Sequence, residues 1–225
     1  MKNFLKFLSI LSQTGLRTIY FNFKYLSFNQ AIHFPILVSR NALMNKAGGR
    51  VVINCPIRPG LIKIGYSGVT IFDYKRSKSV WDVSGLVTFG GKANIGHGAK
   101  ISVGENGEVY FGENFILSAE SSIVVSNKRV VFGNDTLLSW NILVMDTDFH
   151  VIRDSAGKVI NEPKDIILGS HVWVGCGSVI LKGSIIPNDS IIAANSLVSG
   201  VLTGEKKIFG GQPAKELKSE VIWEL

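Results

Sequence analysis

Six aliphatic residues recur at intervals of six without a slip: Leu168, Val174, Ile180, Ile186, Ile192 and Val198. Four residues after each of the middle four stands a serine: Ser178, Ser184, Ser190 and Ser196. An amphipathic helix needs a period of about 3.6 and a half-buried strand a period of about 2, so this spacing fits neither. It fits a triangular solenoid, in which each hexad supplies one short strand and one corner. The aliphatic side chain points inward, and the small residue fits the tight corner. Successive coils then stack at the roughly 4.8 Å spacing of paired strands.

The same unit occurs upstream in threes. Phe89, Ile95 and Ile101 form one set, with Gly90, Ala93, Gly96 and Ala99 at the small positions. Phe111, Leu117 and Ile123 form a second with Gly112 and Ser121, and Phe132, Leu138 and Val144 a third with Gly133, Thr136 and Ser139. Phase breaks fall only between triplets, which places insertions at coil boundaries. These hexads predict a mainly β chain, a parallel β-helix of about five regular coils from Leu86 to Leu202. A helical or irregular cap is expected over residues 1–50, the solenoid over 51–203 with an extruded loop at 146–166, and a tail over 204–225. The hydrophobic fraction of 46% supplies a core, and the charged fraction of 18% argues against a disordered chain or a charged helical bundle.

Cys55 and Cys176 alone make no disulfide framework, which points to a reduced, cytoplasmic setting. Residues Met1 to Gln13 set Lys2 and Lys6 among Phe4, Leu5, Phe7, Leu8, Ile10 and Leu11. That run is too short to span a bilayer and lacks a small-x-small cleavage site. It reads either as an amphipathic helix packed on the chain or as an interfacial membrane helix. No Asp or Glu occurs before Asp73, whereas Lys2, Lys6, Arg17, Lys24, Arg40, Lys46, Arg50, Arg58 and Lys63 do. The asymmetry points to an anionic partner. No zinc spacing, aromatic RNA-binding motif or recognition helix accompanies it, so a phosphorylated small molecule or membrane surface fits better than nucleic acid.

The wording VWVGCGSVILK at Val172–Lys182, followed by IIPNDSIIAANSLVSG and GGQPAKELK, resembles the hexapeptide-repeat acyltransferases with a left-handed β-helix. Within them it is similar to the maltose/galactoside O-acetyltransferases and to capsular or lipopolysaccharide O-acetyltransferases. The resemblance covers Leu86 to Trp223 and implies the left-handed coil, which spacing alone does not. It also implies a homotrimer, acetyl-CoA as co-substrate, and transfer to a sugar hydroxyl in surface polysaccharide biosynthesis. N-acetylation of an amino sugar, free or nucleotide-linked, and a non-catalytic scaffold are the alternatives.

Of the four histidines, His150 stands apart from His33, His97 and His171. It ends SWNILVMDTDFH at the mouth of the long interruption between Asp146 and Asp165, where a rigid scaffold displays functional groups. In the family a histidine there is the general base. Imidazole changes protonation near neutral pH and can take the proton of an attacking hydroxyl. Asp146, Asp148 or a backbone carbonyl can orient its other ring nitrogen, and backbone N–H groups can stabilise the developing oxyanion. Cys176 is taken as a wall residue near the cofactor, not a nucleophile.

Matched by motif, Cys176, Ala194, Ser199 and Gly200 fall on cofactor-lining positions, and Lys215 and Lys218 where relatives hold the cofactor's phosphates. Gly200 replaces a frequent Lys, for which Lys206 or Lys207 can substitute. Ser118 stands where the sugar acetyltransferases have an Asn near the acceptor. Trp140 and Asn141 belong to the same expected acceptor wall. The histidine spacing gives no metal site, and none is expected. The expected acceptor is a sugar or glycan, phosphorylated or lipid-linked, with peripheral membrane contact through the basic N-terminal region.

Overall fold

The computed structural model describes residues 15–66, 69–74 and 76–224. The expected features of residues 1–14 lie outside the described residues. Helix α1 (Leu16–Tyr25) and a single turn, α2 (Phe28–Ala31), come first. Strands then follow in threes. β1 (Ile36–Val38), β2 (Ala42–Ala47) and β3 (Arg50–Ile53) make one coil, and β4 (Ile62–Ile64), β5 (Ser79–Val83) and β6 (Leu86–Phe89) the next. The third coil holds β7 (Ala93–Ile95), β8 (Lys100–Val103) and β9 (Glu108–Phe111), and the fourth β10 (Phe115–Leu117), β11 (Ser122–Val125) and β12 (Arg129–Phe132). The fifth holds β13 (Leu137–Leu138), β14 (Leu143–Met145) and β15 (Ile166–Leu168), and the sixth β16 (Trp173–Val174), β17 (Val179–Leu181) and β18 (Ile185–Ile186). β19 (Ile191–Ile192) and β20 (Leu197–Val198) begin a seventh, and β21 (Ile208–Gly211) stacks on β19 one layer further, followed by β22 (Ala214–Lys218).

Each strand pairs in parallel with its counterpart one coil away, giving three sheets. Face one runs β1-β4-β7-β10-β13-β16-β19-β21-β22, face two β2-β5-β8-β11-β14-β17-β20, and face three β3-β6-β9-β12-β15-β18. Among the strands of the described residues, only β22 runs antiparallel, folding back on β21. The hexad residues are the inward column: Leu168, Val174, Ile180, Ile186, Ile192 and Val198 are each at most 1% exposed. Phe89, Phe111 and Phe132 stack along face three with centroids 5.2 and 5.5 Å apart, close to the rise of one coil. Burying each such side chain contributes roughly 1.5–3 kcal/mol.

The serines do more than fit. Ser178 Oγ donates to the Ala193 carbonyl at 3.1 Å, Ser184 Oγ to those of Leu181 and Val198 at 2.6 and 3.0 Å, and Ser196 Oγ to Ala193 at 2.6 Å. A small apolar residue would fit the corner but forgo these bonds to the backbone. The corners also demand left-handed backbone, supplied by Asn114, Asp135, Asn141, His171, Asp189 and Asn195, residue types that tolerate positive φ.

The ladder starts at Ile36, ahead of the expected boundary at residue 51, and its first five strands precede Leu86. Their phase is hidden because residues 65–78 intervene between β4 and β5, and a bulge between Met44 and Lys46 shifts the register of β2. Residues 208–218, placed in the expected tail, continue face one.

Candidate active site

The loop that interrupts the hexads leaves the corner between faces two and three, after β14, and returns before β15. Both roots are anchored by aspartates to the turn of the preceding coil. Asp146 is fully buried, and its carboxylate accepts N–H bonds from Ser126, Asn127 and Lys128 at 2.8, 2.9 and 2.8 Å. At the other root, Asp165 accepts from the Arg129 N–H and guanidinium, each at 3.0 Å. Burial pushes the Asp165 carboxyl up, but the bonds from Arg129 outweigh it and hold the group below its ordinary value. Lys164 N–H donates to the Asp146 carbonyl at 3.3 Å across the neck.

Further out, Lys182 from the end of β17 reaches into the loop. Its ammonium pairs closely with Asp148 and donates to the Asn161 carbonyl at 2.8 Å. The Asn161 amide donates to Asp148 at 2.9 Å and to the His150 carbonyl at 2.7 Å, and its oxygen accepts from Ile152 N–H at 2.7 Å. The bond from Lys182, then that from Asn161, holds the Asp148 carboxyl below the usual carboxylate value. The His150 backbone is thus fixed while its ring is exposed, and no hydrogen bond among the described residues engages that ring. Neither aspartate meets the expectation of orienting it within this chain: Asp146 is occupied by the turn at 126–128, and Asp148 by Lys182 and Asn161. Phe149, Val151, Ile152 and Ile160 around it are 51–64% exposed.

The residues expected to bind the cofactor and acceptor divide between two corners. Ser118, Trp140, Asn141, Cys176 and Ala194 share the corner between faces one and two. There Asn141 N–H donates to Ala119, Gly177 N–H to Trp140 and Asn195 N–H to Cys176, at 3.2, 3.0 and 2.8 Å. Asn141 itself is one of the left-handed corner residues. Ser199 and Gly200 lie after β20, at the corner that carries the loop and Lys182. The five residue steps from Gly177 to Lys182 cross face two, a span of about 16 Å for extended chain. Ser199 is exposed, and a Cβ added at Gly200 would meet nothing within 4 Å. Lys215 and Lys218 are exposed on β22. Lys207, a substitute for the cation absent at Gly200, is held by Glu216 at 2.6 Å, while Lys206 is exposed. Among the described residues no group of three or more His, Cys, Asp or Glu is placed to hold a metal ion.

Lys182, Asn161, Asp165 and Arg129 are the contributors that sequence reasoning missed. His171, set aside there, donates or accepts through Nδ1 with Asp189 at 2.8 Å, stacks on Trp223 at 4.2 Å and accepts the Trp223 indole N–H through its carbonyl, fastening the chain end.

The chain is 28% identical over 103 residues to a polysialic acid O-acetyltransferase of Neisseria meningitidis, covering 45% of this chain and 48% of that one. It is 30% identical over 104 residues to the putative lipopolysaccharide biosynthesis O-acetyl transferase WbbJ of Escherichia coli (strain K12), covering 42% and 53%. The matched segment thus spans about half the length of these curated relatives. The crystal structure of the polySia specific acetyltransferase NeuO superposes with a TM-score of 0.64 at 22% identity, over 84% of this chain and 79% of that one. No family model matches. These likenesses bear out the resemblance to hexapeptide-repeat acyltransferases and the left-handed hand of the coil.

Proposed function

We propose that this chain is an O-acetyltransferase that carries an acetyl group from acetyl-CoA to a hydroxyl of a surface-polysaccharide sugar, with His150 as general base. The observation that carries the reading is the presentation of His150. Its backbone is pinned by Asn161, its loop is rooted at both ends by buried or paired aspartates, and its ring is left for an external group. The likeness to proteins named as O-acetyltransferases of polysialic acid and lipopolysaccharide supports the acceptor class.

Bound acetyl-CoA would supply a thioester carbonyl open to attack. The open corner at Ser199 and Gly200 fits a slender arm, and the exposed Lys215 and Lys218 fit its phosphates. His150 accepts the proton of the acceptor hydroxyl as that oxygen attacks, and as imidazolium gives it up again when the thiol departs. Asp148, kept ionised by Lys182, holds the loop that positions this ring.

The site is completed in a homotrimer. The two sets of lining residues lie on corners about 16 Å apart in one chain, and the loop exposes four large apolar residues to whatever stands beside it. A neighbouring copy brings one set to the other and covers those residues. The setting is the cytoplasmic face of the membrane, where Cys55 and Cys176, both unpaired here, stay reduced. The acceptor is an anionic glycan, free or lipid-linked, matching the formal charge of +7.

The test is His150→Ala assayed by thiol release from acetyl-CoA with polysialic acid and lipid-linked sugars. Turnover is expected to fall by about 10²–10⁴-fold, the usual worth of a positioned acid–base group, with acetyl-CoA binding and the melting profile retained. Near-parental transfer by this variant would remove His150 from the mechanism.

A further inference from the structure

Helix α1 is amphipathic the wrong way round for a helix that covers a core. Its buried residues are Thr18, Phe21 and Asn22, two of them polar. The reason lies in the strand beneath. Among the described residues β1 is the open edge of face one, with no earlier strand paired to it. Thr18 supplies that pairing: its hydroxyl accepts from Val38 N–H at 2.8 Å and donates to the Val38 carbonyl at 3.2 Å. Asn22 does the same at Ile36, accepting from N–H at 3.2 Å and donating to the carbonyl at 2.6 Å. Polar side chains are therefore turned inward to finish the ladder.

Phe21 packs in the core, but a stripe of other apolar side chains is left outside. Leu16, Tyr20 and Phe23 follow the i, i+4, i+7 spacing of one helix face and are 81%, 54% and 44% exposed. Phe28 and Ile32 extend the stripe beyond the helix at 70% and 46% exposed. Between α1 and β2 lies an open groove of about 430 Å³ lined by Leu16, Arg17, Tyr20, Leu43 and Met44. The helix itself carries only cations, Arg17 and Lys24, and no acidic residue stands before Asp73 in the chain.

We infer that this face docks on an anionic phospholipid surface, with α1 lying in the interface plane. Two observations select that occupant. The exposed stripe is rich in aromatic and long aliphatic side chains and flanked by cations, which is the composition of an interfacial helix. Charge decides against a second copy of the chain: two such faces brought together would oppose cations to cations, whereas anionic headgroups complement them. Among the described residues no helix is long and apolar enough to cross a bilayer, so the contact lies on the surface. Docking here holds the solenoid by its first coil and leaves the loop of coil five clear of the lipid. The inference stands apart from the acetyl-transfer reading, since it concerns lipid affinity and not turnover.

The test uses the full chain with phosphatidylcholine vesicles, with and without phosphatidylglycerol, at low and high salt. Sedimentation with the anionic vesicles at low salt, released by high salt, is expected. Lys24→Glu should weaken binding by about fivefold for each unit of positive charge removed. A Tyr20→Ser, Phe23→Ser, Phe28→Ser variant, which leaves Thr18, Phe21 and Asn22 in place, should abolish it while keeping the parental circular dichroism spectrum. The proposal is overturned if the parent ignores anionic vesicles, or if the serine variant binds them as the parent does. It is also overturned if those substitutions change only the oligomeric state in light scattering, which would assign the face to a second copy.

Discussion

Replacing Lys182 by Met tests whether the loop's geometry, and not merely its histidine, sets the rate. The Lys182 side chain is 17% exposed, and its ammonium makes two contacts that cross from coil six into the loop, to the Asp148 carboxylate and the Asn161 carbonyl. Methionine keeps the aliphatic stem and removes both. Hydrogen bonds to charged groups contribute roughly 1.5–3 kcal/mol when sheltered. The Asp148 side chain is 35% exposed, so solvent screening reduces that, and about 1–2 kcal/mol of loop ordering is a reasonable expectation. At about 1.4 kcal/mol per factor of ten, the fraction of loops holding His150 productively falls by roughly 5–30-fold. The solenoid's inward columns are untouched, so the melting profile should barely move. Steady-state thiol release should show kcat reduced by that factor with KM for acetyl-CoA little changed, and Lys182→Arg should recover part of the loss. Parental kcat in Lys182→Met would refute the reasoning, as would a loss of global stability equal to the loss of rate.

Asp146→Ala should behave differently, because that carboxylate holds the turn at 126–128 and not the reacting groups. Three bonds to a charged acceptor disappear, and water at the exposed turn replaces part of them, leaving a loss of about 2–4 kcal/mol in denaturant unfolding. A variant with parental stability but abolished turnover would restore Asp146 as an orienting group. The Asp148–Lys182 contact also predicts a pH dependence. A carboxyl depressed below its ordinary 3.8 adds stability that is fully present above that value and is lost as pH falls through the lowered one. Protection of residues 149–160 from amide exchange or proteolysis should hold from neutral pH down to that range and vanish below it. Loop opening already at pH 6 would show that the contact does not hold the loop.

Much of the fold could be read because the coil repeats its demands. Every hexad from Leu168 to Val198 meets the same inward column and corner, so the same residue types recur. The first two coils obey the same physics without showing it. Residues 65–78 separate Ile64 from Ser79, and the Met44–Lys46 bulge slips the phase. A helical cap was expected over residues 1–50, but the way it packs was illegible for another reason. A helix that finishes a strand edge turns Thr18 and Asn22 inward, so its hydrophobic pattern points away from the fold it serves.

The site was legible where a loop broke the repeat, which singled out His150, and obscure where chain distance misled. Asp146 looked like a partner because it stands four residues from His150, but in a solenoid proximity is counted in coils. Contacts between adjacent coils recur at separations of 18 to 21 residues, as in Ser126 with Asp146, Lys100 with Glu120 and Asn114 with Asp135. Across the extruded loop the same step lengthens to 34 or 36, as in Ser139 with Trp173 and Asn134 with Ser170. Arg129 with Asp165 at 36 and Asp148 with Lys182 at 34 obey that second rule. Stepping one coil forward from an aspartate beside the loop histidine therefore lands on a lysine at a corner position, where hexads otherwise place small or turn-forming residues. That cation on the neighbouring coil is the signal by which the loop's tether can be found from sequence. The two aspartates therefore face opposite ways along the solenoid: Asp148 meets Lys182 of the following coil, and Asp146 holds the turn at 126–128 of the preceding one.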